Sequence, residues 1–174
     1  TALRVKAVVL DPSNPAIVYA GTDCCQAIGV FKSLNGGTTW SPSTSGLTGI
    51  QANTVTSLVI DPTAPNTLYA ATFAGVFKSV NGGGTWTVSS TGITMLQISA
   101  LALDPLAPGT LYAATNGGGV FRSANGGTSW TQISAGLPSP YVSSITVAPS
   151  PAGGVYAGLT GNGAFVLVES ANDV

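Results

Sequence analysis

An octapeptide occurs three times in this chain, as Ser33-Leu-Asn-Gly-Gly-Thr-Thr-Trp40, Ser79-Val-Asn-Gly-Gly-Gly-Thr-Trp86 and Ser123-Ala-Asn-Gly-Gly-Thr-Ser-Trp130, and it takes up all three tryptophans. Trp40 and Trp86 are 46 residues apart, and Trp86 and Trp130 are 44 apart. That period is the length of one four-stranded blade, a unit that cannot bury both faces alone and must stack on neighbours. The chain therefore reads as an array of blades.

The rest of the repeat follows in register. Leu10-Asp-Pro-Ser-Asn-Pro-Ala-Ile-Val-Tyr-Ala-Gly-Thr22 returns as Ile60-Asp-Pro-Thr-Ala-Pro-Asn-Thr-Leu-Tyr-Ala-Ala-Thr72 and as Leu103-Asp-Pro-Leu-Ala-Pro-Gly-Thr-Leu-Tyr-Ala-Ala-Thr115, and a worn copy begins at Val147. Each unit continues through Gly-Val-Phe, a basic residue and Ser, at Gly29 to Ser33, Gly75 to Ser79 and Gly119 to Ser123; the fourth retains only Gly163-Ala-Phe165. Segments such as Val55 to Ile60, Thr67 to Thr72 and Gly75 to Ser79 are rich in β-branched and aromatic residues and bounded by Pro, Gly and Asn, which predicts strands. The expected architecture is all-β: about four antiparallel four-stranded propeller blades, near 1–46, 47–92, 93–136 and 137–174, the last incomplete.

Two turns recur. Asp11, Asp61 and Asp104 precede Pro, where a carboxylate accepts amide hydrogen bonds and Pro presets φ; an identical Asp in successive blades is expected to be structural. Between strands three and four, Asn-Gly predicts a tight hairpin with Trp packed back over it, the Ser hydroxyl and Asn amide serving its free backbone groups.

On these residues the repeat resembles the Asp-box, or BNR repeat, of sialidases, sortilin-like receptors, xyloglucan-hydrolysing glycosidases and bacterial photosystem assembly factors. The resemblance covers nearly the whole chain. It implies a structural role at the blade periphery for Ser33, Asn35, Gly37 and Trp40, for Ser79, Asn81, Gly83 and Trp86, and for Ser123, Asn125, Gly127 and Trp130. The family's usual Asp is Asn here, at Asn35, Asn81 and Asn125. The side-chain turn tolerates that change, but the lost charge argues against a cation site.

Charge narrows the function. Only 6% of residues are charged, against about 25% in an average soluble domain. A net charge of -1 with five scattered basic residues offers no electrostatic footprint for nucleic acid. No apolar run approaches the roughly 20 residues of a spanning helix. Composition, together with a first residue that is Thr1, suggests an exported protein, extracellular, at the cell surface or periplasmic. Three of the five basic residues, Lys32, Lys78 and Arg122, hold equivalent places and would form an arc. Their stems are expected to cover apolar surface with the charges in water, the alternative being an arc that docks a carboxylate-bearing partner.

Cys24 and Cys25 fall where the first blade is longer: Tyr19 to Phe31 spans 12 positions, Tyr69 to Phe77 spans 8 and Tyr112 to Phe121 spans 9. With no His in the chain, the pair cannot complete a four-ligand zinc site, and neither metal nor cofactor is expected. A vicinal disulfide, intermolecular disulfides and free thiols all remain open.

Catalysis has few candidate groups, because His is absent and Glu169 is the only Glu. A sialidase would need an arginine triad, and only Arg4 and Arg122 are available. In the resembling xyloglucan hydrolases a catalytic Asp follows the second strand of an early blade, and Thr22-Asp23 is similar, although Cys24-Cys25-Gln26 replaces the glycine pair. Glycoside hydrolysis also needs a second carboxylate, which that family takes from a second propeller. The expected function is a non-catalytic scaffold binding protein or glycan through variable loops, with Asp23, Cys24, Cys25, Gln26 and Phe73 as the candidate surface. The alternative is part of a two-propeller glycosidase with Asp23 in the chemistry. An incomplete last blade and few blocking charges predict association, as a homo-oligomer through open strand edges or as part of a longer chain.

Overall fold

The computed structural model describes residues 4–23, 29–49, 54–149 and 154–167. Among them every regular element is a strand. The first sheet is β1 (Arg4–Leu10), β2 (Val18–Asp23), β3 (Gly29–Ser33) and β4 (Ser41–Pro42). The second is β5 (Val55–Ile60), β6 (Leu68–Thr72), β7 (Gly75–Ser79) and β8 (Thr87–Val88), and the third is β9 (Ile98–Leu103), β10 (Leu111–Thr115), β11 (Gly119–Ser123) and β12 (Thr131–Gln132). The fourth holds β13 (Val142–Val147), β14 (Val155–Leu159) and β15 (Gly163–Leu167). Each sheet is an antiparallel meander in chain order. The protein is all-β, with four blades in succession, three four-stranded and one three-stranded.

Consecutive first strands approach one another, β1 to β5, β5 to β9 and β9 to β13, so they line the inner rim and the short fourth strands lie outermost. Strand alternation gives each blade two faces. Val55, Leu58, Leu68, Phe77 and Trp86 of the second blade pack on Tyr19 and Val30 of the first, with Leu47 of the connecting segment between them. The same set recurs one blade on, where Ile98, Leu101, Leu111, Phe121 and Trp130 meet Tyr69 and Val76, with Ile93 between. The third joint uses Tyr112, Ala114 and Val120 against Val142, Val155 and Leu167. There is no single central core; the apolar side chains sit in the seams.

The Asp-Pro turns form as the sequence predicts. Asp11 Oδ1 accepts from the N–H groups of Ser13 and Asn14, Asp61 Oδ1 from Thr63 and Ala64, and Asp104 Oδ1 from Leu106 and Ala107. The Ser13 hydroxyl, also bonded to Asp11, holds that carboxyl below the usual aspartate range.

The octapeptide differs from its expected hairpin. β3 ends at Ser33 and β4 begins at Ser41, so the loop is wider than a two-residue turn. Positive φ falls on the glycine pair, 65° at Gly36 and 89° at Gly37. Inside this loop Ser33 Oγ accepts from Gly37 N–H, and Asn35 Oδ1 accepts from the Ser33 hydroxyl and from Thr39 N–H. The same bonds recur around Ser79 with Asn81 and around Ser123 with Asn125. Two side chains thus satisfy a turn that lacks ladder hydrogen bonds.

The tryptophans reach across the seams. Trp86 Nε1 donates to Ser43 O at 2.9 Å, and Trp130 Nε1 donates to Ser89 O at 2.8 Å, so each indole ties its blade to the connector before it. Trp86 and Trp130 are 2% and 5% exposed. Trp40 alone folds over its own turn, donating to Gly37 O, and is 41% exposed. The connectors come close because of Gly46 and Gly92, both in the left-handed region, where an added Cβ would strike the Trp86 and Trp130 carbonyls. A glycine stands six residues after every octapeptide Trp, at Gly46, Gly92 and Gly136, a repeat signal passed over in reading the sequence. The connector after β4 is pinned over its first residues: Ser43 and Leu47 are buried and Trp86 N–H donates to Ser45 O. Residues 50–53 lie outside the described residues.

The first two seams are also pinned by a tyrosine and a lysine. Tyr19 OH and Lys32 Nζ both donate to Gly82 O; Tyr69 OH and Lys78 Nζ both donate to Gly126 O. The ammonium groups stand 5.2 Å and 5.3 Å from the centres of the tyrosine rings. Lys32 and Lys78 are therefore clamps between blades, not charges left in water or held out to a partner. Burial, and secondarily Asp61, pushes the Tyr69 phenol up to about 12.

Two outcomes follow for stability. Trp86→Ala should cost about 3–5 kcal/mol, the range for emptying a buried aromatic site, whereas Trp40→Ala should cost under about 1 kcal/mol; urea melts of the two variants compare them directly. Equal losses would show that the indole bonds to the connectors contribute nothing. Because the Tyr69 pKa is raised on folding, its stabilisation is complete below pH 10 and is lost as pH rises toward 12. Tyr69→Phe should flatten that alkaline loss while lowering stability at neutral pH by about 1 kcal/mol for the missing hydrogen bond.

Candidate functional site

The hairpin loops joining second and third strands all emerge at one end of the blades, where first strands also begin. Local sequence diverges there, and the candidate residues are found at that end. Asp23 closes β2 opposite Arg4. Its Oδ2 accepts from Arg4 Nη2 at 2.9 Å and lies 3.4 Å from Lys6 Nζ. Asp23, expected in a variable loop, is instead a strand terminus paired with two cations of the neighbouring strand. Cys24, Cys25 and Gln26 lie outside the described residues.

Phe73 sits in the short connection between β6 and β7 and is exposed. It has apolar company that the sequence reading did not assign to this end. Tyr141 is brought in by a bridge to Asn116, and Pro140 O accepts from both Gly117 N–H and Gly119 N–H, so the Pro-flanked connection lies against the β10–β11 hairpin. A Cβ on Gly117 would come within 3.4 Å of the Tyr141 ring and 3.9 Å of Met95 Cε, so these two side chains flank the glycine. Leu96, next in sequence, stands over Gly75, its Cδ2 3.3 Å from where a Cβ would be. Met95, Leu96, Phe73 and Tyr141 are all exposed. The cue available in sequence was Met95-Leu96, an apolar pair where the first unit's connector has Gly49-Ile50.

The outer rim carries grooves of a different kind. One of about 570 Å³ lies between the first blade's outer strand and the second blade's octapeptide, lined by Lys32, Leu34, Thr39, Thr44 and Asn81 among others. A smaller one of about 250 Å³ holds the equivalent place one blade on, beside Lys78, Thr87 and Thr91. Both are lined by repeat residues and neither includes a carboxylate. Among the described residues no group of three or more His, Cys, Asp or Glu side chains is placed to hold a metal ion, and no helix is long and apolar enough to cross a membrane.

No protein-family model and no curated protein sequence matches the chain. Solved structures do. An ancestral GH74 enzyme shares 26% identity at a TM-score of 0.67, over 94% of this chain and 25% of its own. The extracellular domain of a hybrid two component system from B. thetaiotaomicron aligns at a TM-score of 0.73 and 17% identity, over 99% of this chain and 24% of its own. YCF48 bound to D1 peptide aligns at 0.62 and 16% identity, over 92% of this chain and 49% of its own. This chain thus spans between about a quarter and a half of the structures it matches. These are β-propeller proteins, both catalytic and not, and the chain has the fold of part of a propeller.

Proposed function

We propose that this protein is a non-catalytic propeller scaffold, outside the cell or at its surface, that binds a protein partner through the loop end of its blades. The observation that carries the reading is the exposed apolar set of Phe73, from one hairpin connection, and Met95, Leu96 and Tyr141, from two inter-blade connectors. Exposed apolar side chains mounted on rigid strand ends suit docking against apolar side chains of a peptide or protein. A glycan would instead need flat aromatic platforms ringed by polar groups, and Phe73 and Tyr141 come from different blades. That YCF48 was solved with a peptide, and that two component system domains of this fold are extracellular, supports both the partner class and the location. We also read the octapeptides as Asp-boxes in which Asn replaces Asp, with Ser, Asn, Gly and Trp in a structural role.

The glycosidase alternative rests on the 26% identity to a GH74 enzyme and on Asp23. The pairing of Asp23 with Arg4 and Lys6 counts against it, and the other described carboxylates, Asp11, Asp61 and Asp104, lie in turns at the opposite end of the blades.

A random-peptide display and a glycan array screened on the same chain separate these readings. Peptides with apolar side chains should be selected, and their binding should fall about tenfold or more in Tyr141→Asp and in Leu96→Asp with the melting temperature unchanged. Selection of glycans alone would overturn the partner class. Turnover of xyloglucan or another β-glucan that disappears in Asp23→Asn would overturn the non-catalytic assignment.

A further inference from the structure

At the loop end, the third blade sets three exposed polar side chains in one row. Asn116 follows β10, and its N–H donates at 2.9 Å to the carbonyl of Gln97, the residue ahead of β9. On its other side Asn116 forms an antiparallel bridge with Tyr141, the residue ahead of β13. Asn116 Nδ2 donates to Gln97 Oε1 at 3.2 Å, which puts the two amides on one face, and residues opposed across an antiparallel bridge share a face too. Gln97, Asn116 and Tyr141 are all exposed.

The row is held from behind. Gly117 and Gly119 N–H donate to Pro140 O, Thr160 N–H donates to Tyr141 O, and Gln132 Nε2 donates to Gly118 O. Hairpin and connectors are thus fixed before a partner arrives, which lowers the entropy lost on binding. The bond between the two amides uses one donor and one acceptor, and it leaves Asn116 Oδ1 and Gln97 Nε2 without a bond among the described residues. Exchanging O and N in both amides only reverses these roles, so the pair keeps one acceptor and one donor in either assignment. Met95 and the Tyr141 ring both border Gly117, the residue after Asn116, so apolar surface begins where the amide pair ends. The second blade has Phe73-Ala74 in its hairpin and offers no such amide.

A peptide unit complements a donor beside an acceptor, because its C=O accepts and its N–H donates. Neighbouring antiparallel positions lie about 5 Å apart, so the row is about 10 Å long, the length of three extended residues. A helix spends its main-chain groups on itself and cannot use the pair. We infer that the partner presents an extended segment whose main chain crosses this row, one N–H donating to Asn116 Oδ1 and one C=O accepting from Gln97 Nε2, with an apolar side chain against Tyr141 and Met95. The inference rests on the scaffold reading and narrows its partner to a strand-like stretch, whose side chains alternate toward and away from the patch.

Peptides selected on this chain by random display are the probe. The tightest is remade with each amide in turn replaced by an ester, which removes one N–H and keeps the shape. Its Kd is then measured by calorimetry on the unaltered chain, on Asn116→Ala and on Gln97→Ala. One ester should weaken binding to the unaltered chain about five- to tenfold and cost nothing further on Asn116→Ala. Gln97→Ala should weaken the parent peptide by a similar factor, with melting unchanged in both variants. A flat ester scan, ester losses that persist in full on Asn116→Ala, or selected peptides that bind as helices by circular dichroism would each sink the main-chain contact and leave the scaffold reading in place. Peptides indifferent to Tyr141→Asp and Leu96→Asp, or a library that yields none, would overturn the scaffold reading and this inference with it.

Discussion

A single blade has two apolar faces and nothing of its own to put between them. Everything else in this protein depends on the seam in which one blade covers its neighbour. Each complete seam combines apolar contact with directional bonds: Phe77 and Leu58 against Tyr19 and Val30, an indole N–H on the preceding connector, and a phenol and an ammonium on one glycine carbonyl. Burial favours any close stacking, but the hydrogen bonds select one register, since a slip would leave buried donors unpaired. Ser43 and Ser89 add the same lesson, their hydroxyls donating to Gly83 O and Gly127 O. Where the fourth blade has no octapeptide to offer such a carbonyl, the position equivalent to Ser43 and Ser89 is Ile133, which packs against the apolar cluster of that seam.

This use of polar groups explains the low charge of the chain. Two of its lysines are spent on carbonyl groups inside seams, and Asp23 is matched by Arg4 and Lys6 at the rim. The surface left for recognition is neutral, so affinity at the loop end must come from shape and apolar contact more than from electrostatic steering. The patch around Tyr141 is of that kind.

Much of the fold was legible in the residues, and the reason is repetition. A period near 45 residues, a Tyr-Ala step, a Gly-Val-Phe step and three tryptophans permit strands to be placed by superposing units, so that β5, β6 and β7 differ from their predicted limits by a residue at most. What misled was the local turn grammar. Asn-Gly ordinarily closes a tight hairpin, but here positive φ moves to the glycine pair because Ser33 and Asn35 bind the intervening amides and hold a wider loop. The basic arc was misjudged for a related reason: alternation assigned Lys32 and Lys78 to the correct face, but not the carbonyl waiting on the next blade. Tyr141 and Met95 were missed as neighbours because nothing local joins residues on two different connectors.

The sequence by itself determined that the chain is all-β, that it is divided into blade-length units, and that the last unit is worn. These follow from strand propensity and from a period too short to fold alone, both of which are properties of the chain read in order. Only the tertiary structure decided the direction of each indole, the carbonyls on which Lys32 and Lys78 rest, and the meeting of Met95 with Tyr141. Those depend on what stands across a seam, and the position of a neighbouring blade is set by packing over distances that no local pattern encodes.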